Sequence, residues 1–106
     1  MAWFWLVLAG ILEVVWAFSM KQSEGFTKPV PTLVTLTALV ASFGLLSLSL
    51  KSLPLGTAYP IWTGIGALGA FAVGVAAFDE RVTPLRLVAV GVLLLGVVLL
   101  KWSVVE

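Results

Sequence analysis

Of the 106 residues, 61% are hydrophobic and 10% charged, the formal net charge is +1, and mean hydropathy is +1.18, which together exclude an ordinary soluble globular domain. There is no Cys and no His, and the five acids are scattered. Disulfides, thiolate chemistry and the usual metal-ligand sets are therefore excluded, so no metal, no cofactor and no enzyme activity is expected. Lys and Arg form no basic stripe, so nucleic acid is not an expected partner.

Four apolar segments, at about 2–20, 32–50, 55–78 and 85–102, read as membrane-spanning helices of one domain covering 1–106. The first has Trp3 and Trp5 near its start, placed as interfacial anchors, and closes at Lys21. It lacks a basic leader and is too long and Trp-rich for a signal peptide, so it reads as a permanent span. Residues Lys21 to Pro29 carry turn chemistry, and Pro31 suits the start of the second span, which ends at Lys51. Pro54 and Gly56 mark the next turn, Asp79 to Pro84 the last. Short connections force the helices to alternate direction, with both termini at one side. Lys21, Lys28, Arg81 and Arg86 fall on one side and Lys51 and Lys101 on the other, a bias of four to two that allows insertion in either orientation.

The first span has one ionisable side chain well inside it. Glu13 lies roughly 16 Å past Ala2 and roughly 12 Å before Lys21 at helical rise, out of easy reach of either surface. A lone carboxylate in hydrocarbon costs several kcal/mol, so Glu13 is expected to face a bundle interior or a wet cavity and to bind something there. Gly10, one turn earlier on the same face, leaves room beside it.

The other spans offer partners for this acid, each with a plainer alternative. Ser42 lies on a small, polar stripe of the second span; it either packs locally against its own helix or turns its hydroxyl to Glu13. Tyr59 and Trp62 share a face of the third span, as an aromatic belt or as a cation site. Gly64 and Gly66 provide either a bend or close packing. On the fourth span Ala89 and Gly96 lie seven residues apart on a helix-pairing surface, and Lys101 snorkels outward. Four short helices with one acid cannot enclose a polar path, so an oligomer is expected.

The sequence resembles the small multidrug resistance family over nearly its whole length. The matching motifs are Glu13 three before Trp16, Lys21 with Ser23-Glu24-Gly25-Phe26-Thr27, Ala41-Ser42-Phe43, and Leu53-Pro54-Leu55-Gly56-Thr57-Ala58-Tyr59 followed by Ile61-Trp62-Thr63-Gly64-Ile65-Gly66. Trp16 and Lys101 resemble the guanidinium exporter subtype rather than the broad multidrug subtype. The resemblance implies an all-α, antiparallel, dual-topology homodimer in the bacterial inner membrane that exchanges protons, the coupling ion, for guanidinium-type cations. It implies Glu13 as the shared proton and substrate site, Trp16, Tyr59 and Trp62 lining it, Ser42 bonded to Glu13, Gly64 and Gly66 as the bend, and Ala89 and Gly96 in the dimer contact. Rival readings are an exporter of quaternary ammonium and aromatic cations, and a non-transporting membrane partner subunit. Pro60 departs from the family pattern: either it stands inside the third span with its ring against the Gly56 carbonyl, or the helix begins late at Pro60, and in both cases Tyr59 is expected away from helical dihedrals.

Overall fold

A computed structural model describes residues 1–103, and these form four helices: α1 (Ala2–Gln22), α2 (Pro29–Ser49), α3 (Leu55–Phe78) and α4 (Pro84–Ser103). All four are long and apolar enough to cross a membrane. Helix is the form such segments can take in hydrocarbon, because every backbone donor finds its acceptor within the segment. Proline punctuates the starts: Pro29 and Pro31 both lie in the first turn of α2, and Pro84 opens α4, where a missing N–H removes nothing. The second helix therefore starts at Pro29, three residues before position 32. The first runs on through Lys21 to Gln22, and the fourth reaches Ser103.

The third helix departs from expectation at Pro60. It begins at Leu55, with Thr57 N and Ala58 N both donating to Pro54 O at 3.1 and 2.9 Å, so Pro60 lies inside it and Tyr59 is helical. One proline so close to a helix start deprives one carbonyl, that of Gly56, of its partner, and Gly56 is exposed at the end of the span. The helix thus runs from Leu55 to Phe78 with Pro60 inside it, and the alternative late start and the non-helical Tyr59 are corrected.

Packing is uneven. The buried apolar cluster, Leu6, Ala9, Leu46, Leu53, Ala58, Ile61 and Trp62, gathers at the start of α1, the end of α2 and the start of α3, with Val97 and Leu100 of α4 against it. Lys101 Nζ lies 5.5 Å from the Trp3 ring centroid, so α1 starts beside the end of α4 as alternating helices require. Small residues make the closest approaches: Ile65 sits 2.6 Å from where a Cβ on Gly10 would stand, Val14 fills the place of one on Gly69, and Val97 that on Gly64. No residue of α4 is buried. The described chain measures 45 × 35 × 16 Å, thin enough that the helices lie nearly side by side and one copy encloses no path.

Candidate functional site

Glu13 is half-buried on α1, with its carboxyl group over Gly66 of α3; a Cβ at position 66 would stand on Glu13 Oε1 and Cδ. Only glycine leaves that space. Gly66 and Gly64 thus act as seats, one for the acid and one for Val97, and α3 continues as helix through both. Of the two expectations for this pair, a bend or close packing, close packing is the one these contacts show.

Two buried polar atoms near the centre of α1 have no hydrogen-bond partner within the described residues, Glu13 Oε1 and Trp16 Nε1. One is an acceptor and the other a donor, one helical turn apart on the same side of α1. Buried polar atoms are almost always satisfied, so an orphan acceptor and an orphan donor three residues apart on α1 are the two groups here with hydrogen-bonding capacity to spare.

Ser42 is fully buried, and its hydroxyl does not reach Glu13. Ser42 Oγ donates to Ala9 O at 2.7 Å and accepts from Trp62 Nε1 at 3.1 Å. The expected Ser42 to Glu13 bond is corrected, because a backbone carbonyl of α1 lies nearer to hand. The same Ala9 carbonyl is the acceptor, four residues back, for the backbone N–H of Glu13. A continuous chain thus runs from the α3 indole through the α2 hydroxyl to the turn of α1 that carries the acid.

Trp62 is 4% exposed and holds Phe43 and Tyr59 against it, with ring centroids 5.3 and 5.5 Å away. Tyr59 itself is 50% exposed; it borders a groove of about 480 Å³ between α3 and α4 together with Pro60, Thr63 and Gly96. Gly10 is buried beneath Ile65 and gives close packing rather than open space. Ala89 and Gly96 are exposed, with nothing within 4 Å of a Cβ placed on Gly96. Phe43 and the Ala9 carbonyl went unrecognised as contributors. The first stands beside Ser42 in the sequence, which is the signal that could have found it; a carbonyl has no letter of its own. Among the described residues no three His, Cys, Asp or Glu side chains gather as metal ligands would.

A flat set of four spanning helices with one acid seated mid-span defines a small multi-pass membrane protein with an intramembrane carboxyl group. The sequence profile described as Small Multidrug Resistance protein matches residues 1–103. Among similar proteins, the guanidinium exporter of Escherichia coli (strain K12) is 47% identical over 103 residues, 97% of this chain and 98% of that protein. Over the same shares, that of Salmonella typhimurium (strain LT2) is 48% identical and that of Citrobacter freundii 44%. The chain belongs to the small multidrug resistance family.

Proposed function

We propose that this chain exports guanidinium, or small guanidinyl cations, across the bacterial inner membrane in exchange for protons, acting as an antiparallel homodimer by alternating access, and that it performs no enzymatic reaction. The observation that carries this reading is the pairing of unpartnered Glu13 Oε1 with unpartnered Trp16 Nε1 in mid-span. The names of the similar proteins, all guanidinium exporters of enterobacteria, support the choice of cation.

The chemistry follows from one carboxyl group doing two jobs. Protonated, Glu13 is neutral and crosses states without a counter-ion. Ionised, it accepts a planar guanidinium through two parallel N–H donors, while the Trp16 ring offers a face to the cation. Proton and cation compete for the same oxygens. A bundle that changes its open side only when the site is loaded converts that competition into exchange. Glu13 is only half-buried in one copy, so a second copy would complete its enclosure and bring two Glu13 groups into coupled titration. The fixed size of the indole favours small planar cations over bulky ones.

The test is proton release on guanidinium binding in lightly buffered detergent solution. The wild type should release protons as the cation binds, and Glu13→Gln none. Binding of guanidinium by Glu13→Gln with proton release intact would overturn the reading.

A further inference from the structure

The turn that joins α3 to α4 is folded back onto α3. Asp79 ends the helix in the left-handed region, at φ 51°, a conformation that aspartate tolerates better than most side chains. The chain reverses there, so Glu80 N donates to Gly74 O at 3.2 Å and the Glu80 carboxylate lies against Gly74, where a Cβ would stand 2.7 Å from Oε1. On the other side of the turn Thr83 Oγ1 accepts from Arg86 N at 3.1 Å and caps the first turn of α4. The Arg86 side chain then ties the two sides together. Its Nη1 donates to Arg81 O at 2.6 Å, its Nη2 pairs with Glu80 Oε1 at 3.2 Å, and its guanidinium carbon lies 5.1 Å from the centroid of the Phe71 ring on α3.

Helix α4 has few other means of holding its direction. None of its residues is buried, and among the described residues Arg86 alone gives it side-chain hydrogen bonds to groups outside the helix. A second hold on α3 is Val97, which fills the place of a side chain on Gly64, roughly 16 Å along the helix from Arg86 at 1.5 Å per residue. One fixed point lets a rod pivot, and two set its direction. A half-exposed ion pair alone contributes little, but here the pair, the carbonyl bond and the contact with the Phe71 ring must be given up together.

We propose that Arg86 is a positioning residue that clamps α4 to α3 through Glu80 and Phe71, and so sets the angle at which the α4 face meets a second copy of this chain. The inference rests on the homodimer of the proposed function. It adds that the pairing face is oriented from within its own chain, by a residue that takes no part in binding the cation.

The experiment is hydrogen exchange on the first two turns of α4, run beside native mass spectrometry of the dimer fraction, with the full chain in detergent. In Arg86→Gln these amides should exchange about tenfold faster than in the wild type, and the dimer fraction should fall about threefold. Arg86→Lys keeps the charge but loses the planar fork, so it should recover only part of either loss. Arg81→Gln removes an equal charge from a side chain with no ion pair among the described residues, and should alter neither. Gly74→Ala separates clamping from stability: alanine favours the helix, yet its Cβ displaces the Glu80 carboxylate, so α4 should loosen while the thermal midpoint holds or rises. Exchange at the wild-type rate in Arg86→Gln, or faster exchange at an unchanged dimer fraction, would overturn the proposal. A wild type that is monomeric throughout would count against the proposed homodimer instead, and the exchange rates would then decide the clamp by themselves.

Discussion

Helices α1 to α3 and helix α4 are all apolar, α4 most of all, and nearly equal in length, yet they differ in what they pack against. The first three share a buried cluster, the Gly66 seat for Glu13 and a hydrogen-bond chain from Trp62 through Ser42 to Ala9. The fourth buries no residue, and Leu85, Val88, Val92 and Leu95 all lie open. In a membrane an exposed leucine costs nothing, because lipid is as apolar as protein; what distinguishes helices there is shape and hydrogen bonding. The first three helices therefore hold Glu13 in place, and the fourth is left open as the surface that the second copy in the proposed function would use. Substitutions should separate accordingly, with loss of transport or stability in the three-helix unit and loss of assembly alone in α4.

The largest effect is expected at Gly66. Gly66→Leu puts a branched side chain where the Glu13 carboxyl group sits, so guanidinium transport in liposomes should fall by about two orders of magnitude or more, while the helical circular dichroism of the protein persists. Next comes Trp16→Gly, which removes the orphan donor and the bulk beside the acid. Guanidinium affinity should drop, and uptake of bulkier quaternary ammonium cations should rise by about tenfold to a hundredfold, measured by competition. An unchanged substrate range would remove Trp16 from the site.

Ser42→Ala should be milder for transport and harsher for stability. It leaves the buried Trp62 Nε1 without an acceptor, at a cost of about 1–3 kcal/mol, to be read as a lower thermal midpoint in detergent. Ser42→Thr keeps the hydroxyl and should recover most of that loss. The smallest effect on the protomer is expected at Gly96. A Cβ on Gly96 meets nothing within 4 Å, and the groove of about 480 Å³ beside it has room for the rest of the side chain, so under Gly96→Ile thermal stability should stay within about 0.5 kcal/mol while cross-linking between copies declines. If Gly96→Ile unfolds the protomer and leaves cross-linking of the remainder intact, the division between α4 and the other helices is wrong.

Much of this division could be read in the sequence. Uninterrupted apolar runs with prolines at their starts and lysines near their ends locate four spans, and a carboxylate far from both ends of its span stands out because hydrocarbon makes it costly. The acceptor of Ser42 could not be read, since a hydroxyl in a span chooses among any carbonyls in reach and the nearest belonged to Ala9 of another helix. Gly66 was ambiguous for a related reason: absence of a side chain serves a bend and a seat equally, and only the position of Glu13 decides between them. Two prolines in one helical turn hid the start of α2, because both Pro29 and Pro31 are acceptable there. Pro60 was read as a stronger breaker than it is, since the one carbonyl it deprives lies at an exposed helix end.

The central claim is that Glu13 carries proton and cation by turns. Its most direct test is guanidinium-evoked current from protein reconstituted in liposomes, recorded at a series of pH values for the wild type and for Glu13→Gln. The wild type should give a current that reverses when the proton gradient is reversed, with the guanidinium concentration for half-maximal response rising about tenfold for each unit by which the pH is lowered where the protonated acid dominates, and Glu13→Gln should be silent. A wild-type response independent of the proton gradient, or a proton-coupled current in Glu13→Gln, would contradict it.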